Sequence, residues 1–158
     1  MSKKLVAYFS ATEQTKDAAE EIAKLFNCDL YEIKPKVKYN GKDLDYTKKD
    51  SRSTIECKDR NNRPEMSDKN ANINNYDTIL VGFPVWWYLA PNIILTFLES
   101  YDFTGKKVVV WGTSYSSGMG KTMDEIKKIA KGANVVEGFI FDKDHRKKSD
   151  YEKLRAKI

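Results

Sequence analysis

The sequence predicts an α/β fold in which one parallel sheet is covered by helices on both faces. Short apolar runs of strand length alternate five times with helical patterns along the 158 residues. This alternation is typical of parallel sheets with right-handed crossovers. A chain of this length is also the size of one domain, which buries roughly two-thirds of its unfolded surface. We therefore expect a single domain over residues 1–158.

The first half of the chain predicts two strands, two helices and one long connection. Apolar residues 5–9 form a strand, and residues 16–26 form a helix with apolar positions at three- and four-residue spacing. Alternation of polar and apolar residues at 29–33 indicates a second, less buried strand. Residues 35–75 form a long polar connection with one short helical pattern near 47–58. A connection of this length is typical of a functional or mobile segment, and a solvated insertion is the alternative. The residues in it that could reach a ligand are Tyr39, Tyr46, Arg52 and Arg63.

The second half of the chain predicts three more strands, each followed by a helix. Pro91 suits the first turn of a helix, because its missing N–H is not needed there, and Ser149 is the expected cap of the last helix. The strands and helices predicted here, in chain order, are 78–82, 91–99, 107–112, 122–131, 134–141 and 149–158.

The net charge of +5 is concentrated in two segments. Residues 35–75 hold ten basic and seven acidic side chains, and residues 142–158 hold seven and four. Scattered lysines are typical of a solvated face, whereas a nucleic-acid footprint needs a denser stripe. No apolar run approaches the length of a membrane span, and the first residues lack the apolar core of a signal peptide. We therefore expect a cytoplasmic protein that binds neither nucleic acid nor membrane.

Three links at predicted strand ends have an unusual composition. Residues 10–15 offer three hydroxyls and an amide beside a helix N-terminus, where free N–H groups favour a phosphate. Residues 83–91 contain three consecutive large aromatics, which suit stacking on a planar ligand. Residues 113–120 hold two glycines and three serines, which allow close approach and polar contacts. Because ligands bind beyond the carboxyl ends of parallel strands, the three links together indicate a site for flavin mononucleotide (FMN).

Each link taken alone also fits a plain structural role. The first could be an ordinary strand–turn–helix with hydroxyl caps, and the third a glycine-rich turn. One or both tryptophans of the second could fill the core under the long connection, and we expect at least one of them to do so. The coincidence of the three at one sheet edge is therefore what favours a ligand site.

The same links resemble the flavodoxin family, in particular a bacterial group with two tryptophans after the third strand. The resemblance covers nearly the whole chain and implies a three-layer flavodoxin-like sandwich with strand order 2-1-3-4-5 and FMN as the cofactor. The stretches that carry it are Tyr8-Phe-Ser-Ala-Thr-Glu-Gln-Thr15, Gly82-Phe-Pro-Val-Trp-Trp-Tyr-Leu-Ala-Pro91, Phe97-Leu-Glu-Ser-Tyr-Asp-Phe-Thr-Gly-Lys-Lys107 and Thr113-Ser-Tyr-Ser-Ser-Gly-Met-Gly120.

The resemblance also implies the residues that hold FMN, and it implies no catalytic side chain and no metal. Those expected at the ribityl phosphate are Ser10, Thr12, Gln14 and Thr15. Those expected to flank the isoalloxazine are Pro84, Val85, Trp86 and Trp87. Those expected at its other side and pyrimidine edge are Thr113, Ser114, Tyr115 and Gly118. Glu13 stands where the group often has glycine, so its carboxylate must face solvent to avoid repelling the phosphate.

Two functions remain open, with electron transfer through bound flavin favoured. The alternative is an FMN-dependent NAD(P)H oxidoreductase acting on quinones or similar acceptors, which needs a second planar pocket. None of the predicted helices carries an arginine pair at helical spacing that could clamp a second nucleotide. The basic segments favour an acidic redox partner protein, and we expect a monomer or a weak homodimer. A phosphorylation receiver is excluded, because Phe9-Ser10 and Gly82-Phe83 replace the acidic residues that it requires.

Overall fold

Five parallel strands form a single sheet in the order β2-β1-β3-β4-β5 in a computed structural model that describes residues 3–158. This arrangement confirms the predicted fold class and strand order. The strands are β1 Lys4–Tyr8, β2 Asp29–Glu32, β3 Thr78–Pro84, β4 Lys107–Ser114 and β5 Asn134–Asp142. The helices are α1 Glu13–Phe26, α2 Arg52–Lys58, α3 Asn92–Glu99, α4 Thr122–Ile129 and α5 Lys148–Arg155, with a short 3-10 turn at Ile73–Asn75.

The two faces of the sheet bury separate clusters of apolar side chains. Because successive side chains of a strand point to opposite faces, Leu5 and Ala7 pack on one side of β1, and Val6 and Tyr8 pack on the other. The first cluster includes residues of α3 and α4, and the second includes residues of α1 and α5. Within residues 3–158, no helix is long and apolar enough to cross a membrane.

Several element boundaries differ from the predicted ones, because pairing between strands is not visible in the local pattern. β3 and β4 continue to Pro84 and Ser114, since parallel pairing extends to Pro84 opposite Thr113. The first helix begins at Glu13, three residues earlier than predicted. The last helix is capped by Lys147 rather than Ser149, and the Lys147 backbone N–H donates to the Asp150 carboxylate at 2.9 Å.

The polar connection 35–75 is packed onto the domain rather than solvated throughout. Arg60, just after α2, forms a two-pronged ion pair with Glu125 of α4 at 2.8 and 2.9 Å. Its guanidinium also donates to the side chain of Asn92 in α3, and Asn92 in turn donates to the carbonyls of Asp59 and Asn62. These partly buried polar contacts tie the end of α2 to the helices that follow β3 and β4.

Candidate functional site

A cleft of about 520 Å³ lies beyond the carboxyl ends of β1, β3 and β4. Its walls come from residues 11–12 after β1, residues 84–88 at the end of β3 and residues 114–117 at the end of β4. The chain reverses the direction of strand order between β1 and β3, which is where open α/β sheets bind ligands. The three links with unusual composition therefore meet at one site.

One end of the cleft is the N-terminus of α1. Thr12 occupies the N-cap position in an extended conformation, yet its side chain makes no capping hydrogen bond. Its hydroxyl donates to the Gln14 side chain instead, while the Ser10 hydroxyl accepts from the backbone N–H of Lys16 at 3.1 Å. The N–H groups of the first turn thus lack a cap from Thr12, and such groups attract an anion. Glu13 is exposed, as its position beside this site requires.

Thr15 and Thr113 form a buried pair below the cleft rather than lining it. Their hydroxyl oxygens are 2.7 Å apart, and either can be the donor. Thr15 is 2% exposed and Thr113 is completely buried. The pair joins the first turn of α1 to the end of β4, so it fixes the two predicted contact regions relative to each other.

The other end of the cleft is an aromatic turn after β3. Trp86 packs edge-on against Phe9 and Tyr39, with ring centroids 5.9 and 5.6 Å apart. Trp87 and Tyr88 are 40% and 55% exposed. Trp86 is therefore partly buried against the core, so the expectation that one tryptophan fills the core is met only in part, and Trp87 is presented to solvent at the cleft.

This turn has an uncommon backbone conformation. Trp87 and Tyr88 both have positive φ, 50° and 62°, and the backbones of Trp86 and Leu89 exchange two hydrogen bonds of 2.9 Å across them. Turns with two such central residues normally use asparagine and glycine, and each bulky residue held there costs about 1–3 kcal/mol. A strained pair of aromatics at the mouth of a cleft indicates a ligand-binding role.

The first residue of α4 and the loop before it hold the aromatic turn in place. Thr122 is buried, and its hydroxyl donates to the Tyr88 carbonyl at 3.2 Å. Gly120 has a φ of 52°, and a Cβ atom at this position would lie 2.6 Å from the same carbonyl oxygen. The contact therefore requires glycine, and it couples the second and third walls of the cleft.

The third wall is a compact turn of serines. The Ser114 hydroxyl accepts hydrogen bonds from the backbone N–H groups of Ser116 and Ser117 at 3.2 and 2.7 Å. Tyr115 is exposed, and a hydrogen bond to Asp144 raises the pKa of its hydroxyl. The Nζ of Lys143 lies 5.1 Å from the Tyr115 ring, and partial burial lowers the pKa of this lysine.

The predicted site residues divide into four groups. Those that line the cleft are Thr12, Pro84, Val85, Trp86, Trp87, Ser114 and Tyr115. Ser10 and Gln14 hydrogen-bond with Thr12 at its edge, and Thr15 and Thr113 lie beneath it. Gly118 follows the serine turn, and a Cβ atom added there would have no neighbour within 4 Å.

Eight residues that line the cleft were not among the predicted cofactor contacts. Four of them lie within the three links, namely Ala11, Tyr88, Ser116 and Ser117, and four lie outside the links, namely Leu44, Tyr46, Ser53 and Lys143. Tyr46 was recognisable from the sequence as a residue that could reach a ligand, since it is an aromatic residue in a polar connection. Of the other residues that could have reached a ligand, Arg52 stacks on the Tyr39 ring at 3.8 Å, and Arg63 pairs with Glu99. These three therefore support the fold of the connection.

The residues of the cleft fit FMN. An anion-binding helix end suits a terminal phosphate, an aromatic turn suits a planar ring system, and both open on one cleft at the strand-order reversal. This combination of sheet and site defines the class of flavodoxin-like α/β proteins. A family model for flavodoxin matches residues 3–155, and the chain belongs to the flavodoxin family.

Solved structures of similar chains agree with this assignment. A candidate flavoprotein from Bacteroides eggerthii DSM 20697 is 41% identical, with 99% of this chain and 95% of that chain covered and a TM-score of 0.89. One from Bacteroides uniformis ATCC 8492 is 40% identical, with 99% of each chain covered and a TM-score of 0.91. A flavoprotein in complex with FMN from Lactobacillus acidophilus NCFM is 27% identical over 98% of this chain and 99% of that chain, with a TM-score of 0.71. No curated protein matches the chain.

Proposed function

We propose that the chain binds one FMN in the cleft and acts in electron transfer through it. The observation that carries this proposal is that one cleft joins a strained aromatic turn to a helix N-terminus whose N-cap residue, Thr12, makes no capping hydrogen bond. The similar flavoprotein with FMN bound and the membership of the flavodoxin family support the choice of cofactor. When bound, FMN supplies the redox chemistry, and the protein contributes binding, orientation and electrostatics.

The proposed roles follow from the position of each residue. Ser10, Thr12 and the first-turn N–H groups of α1 hold the phosphate, while Thr15 orients this turn through its bond to Thr113. Trp87 covers the isoalloxazine at the mouth of the cleft, and Trp86 supports it from the packed side. Ser114 fixes the turn whose backbone borders the pyrimidine edge. No described side chain is required to act as an acid, base or nucleophile.

The electron-transfer partner is proposed to be an acidic protein. Lys48, Lys49 and Lys58 surround a shallow depression beside the cleft, and Tyr46 and Trp87 border both. Exposed aromatics ringed by lysines suit a surface that carries carboxylates around an apolar centre. The rate of electron transfer to such a partner falls as salt rises, because screening weakens the attraction.

Titration of the apoprotein with FMN and with riboflavin tests the binding proposal. Riboflavin lacks the phosphate, so several charge-assisted hydrogen bonds are lost and we expect it to bind about 100-fold more weakly or worse. Equal affinities for the two flavins would show that the phosphate does not bind at the N-terminus of α1. If the protein does not bind FMN at all, the assignment of FMN as its cofactor is wrong.

Stopped-flow mixing of the anaerobic, oxidised holoprotein with NADPH or NADH tests the electron-transfer role. A hydride donor must bring its nicotinamide to about 3–3.5 Å from the flavin. We expect that neither NADPH nor NADH is held at this distance. Flavin bleaching should therefore be slow with either nucleotide and fast with dithionite. Bleaching by NADPH or NADH at ordinary enzyme rates, about 1–1000 per second, would assign the protein as an oxidoreductase instead.

A further inference from the structure

Ser53, the second residue of α2, carries a buried hydroxyl without a hydrogen-bond partner. The residue is 2% exposed, and its Oγ has no partner within residues 3–158. The only other such side-chain atom in that range is the indole nitrogen of Trp111, which packs on the opposite face of the sheet with α1 and α5. Ser53 differs because it lines the cleft. Buried polar groups are normally paired, so this hydroxyl needs an explanation.

The position of Ser53 is fixed by the contacts of its neighbours. Its backbone N–H donates to the Asp43 carbonyl at 2.9 Å. Glu56, one turn further along α2, is 5% exposed and accepts hydrogen bonds from Arg52 and from the Tyr39 hydroxyl. Because Tyr39 packs against Trp86, this network anchors α2 on the aromatic wall. The orphan hydroxyl is thus held beside the cleft by the fold of the connection.

Ser53 faces the aromatic end of the cleft rather than the phosphate end. Residues four apart lie on one face of a helix, and Cys57, four residues after Ser53, places its Sγ 3.9 Å from the Trp86 carbonyl oxygen. Leu44 and Tyr46 of the same connection also line the cleft. Rotation about the Cα–Cβ bond moves a serine hydroxyl among three staggered positions, so it can reach the cleft without a shift of α2.

We infer that Ser53 hydrogen-bonds an uncharged polar atom of the FMN ring or ribityl chain, and that residues 43–57 form a fourth wall of the cofactor site. This inference rests on the proposed function. An uncharged acceptor or donor follows from the place of Ser53 on the helix whose Cys57 contacts Trp86, away from the N-terminus of α1. The missing partner of the hydroxyl is then the cofactor itself. Removing the hydroxyl should weaken binding without weakening the free protein.

The test is the variant Ser53→Ala, compared with Ser51→Ala in the same helix. Both flavins should bind Ser53→Ala about 3- to 10-fold more weakly, as expected for the loss of one neutral hydrogen bond. FMN and riboflavin should be affected by the same factor, since the phosphate is not involved. The melting temperature of the apoprotein should stay the same or rise, because an unpaired buried hydroxyl is removed and alanine favours the helix.

Ser51 supplies the matched control, because its hydroxyl is already used. Ser51 is the N-cap of α2, and its oxygen accepts from the Thr54 backbone N–H. Ser51→Ala should lower the melting temperature of the apoprotein, as loss of a helix cap does. A similar drop for Ser53→Ala would make its role structural and overturn the inference.

Two further outcomes separate the inference from the proposed function. Unchanged affinity of Ser53→Ala for both flavins, with wild-type protein binding FMN, overturns the inference alone. A loss for FMN but none for riboflavin also overturns it, since the contact would then be to the phosphate. Failure of the wild-type protein to bind FMN overturns both.

Discussion

The two ends of the cleft are built on opposite principles. At the N-terminus of α1, Ser10 and Thr12 bond mainly to their own neighbours, and the N-cap residue Thr12 does not cap the first turn of the helix with its side chain. At the aromatic turn, Trp87 and Tyr88 are held in a strained conformation by Leu89, Thr122 and the close approach of Gly120. One end leaves donors open for a ligand, and the other is shaped before the ligand arrives. The first should govern affinity, and the second the surroundings of the ring.

The substitution Gly120→Ala, which disturbs the aromatic turn, is expected to have the largest effect. The new Cβ would lie 2.6 Å from the Tyr88 carbonyl oxygen, on a backbone with a φ of 52°. The left-handed conformation and the overpacking together should lower the free energy of unfolding by about 2–5 kcal/mol. Urea unfolding followed by tryptophan fluorescence measures this loss. Gly118→Ala in the same loop is the control, since nothing lies near its added Cβ; equal effects of the two would show that the contact does not hold the turn.

The next largest effect is expected at the Thr15–Thr113 pair, which joins the first turn of α1 to β4. Thr15→Val leaves the Thr113 hydroxyl buried and unpaired, which should cost the apoprotein about 1–3 kcal/mol. The double variant Thr15→Val, Thr113→Val should recover most of this loss, because both polar groups are then gone. Denaturant unfolding of the four proteins of the cycle gives the coupling energy. Strictly additive losses would contradict a direct bond between the two hydroxyls.

A third change relieves the strain of the aromatic turn. Replacing Trp87 and Tyr88 by asparagine and glycine supplies the residues that positive φ prefers, so the apoprotein should gain roughly 1–2 kcal/mol. The same protein should quench FMN fluorescence less, since the exposed ring at the cleft is lost. Unfolding curves and flavin emission are the two measurements. A less stable apoprotein would mean that the aromatics stabilise the turn through packing.

The smallest expected effect is at the open end, in Glu13→Gln. An exposed carboxylate in the first turn of α1 opposes a bound phosphate, so its removal should tighten FMN by about two- to five-fold, the usual size of a charge effect at a helix end. Riboflavin affinity should stay unchanged. Glu20→Gln, in the middle of the same helix, provides the comparison. Weaker FMN binding by Glu13→Gln would place that side chain in contact with the ligand.

The sequence predicts the sheet well, because buried strands leave a continuous apolar signal. The ends of β3 and β4 were missed, since they depend on pairing between Pro84 and Thr113, which lie far apart in the chain. The packing of the connection 35–75 was missed for a similar reason, because Arg60 finds Glu125 only after folding. Trp86 and Trp87 are adjacent and identical, so only the turn geometry separates the packed ring from the exposed one. The cofactor contacts themselves stay a prediction.

The hydrogen bond between the Thr15 and Thr113 hydroxyls can adopt two proton arrangements. Since either oxygen can donate, the pair has two states with the same heavy-atom positions and opposite directions of the O–H bonds. A negative charge at the N-terminus of α1 favours the state in which the Thr15 proton points to that charge and Thr113 donates to Thr15. Binding of an anion at this end of the cleft would thereby fix the direction of the hydrogen bond to Thr113 at the end of β4. This change requires no movement of the backbone.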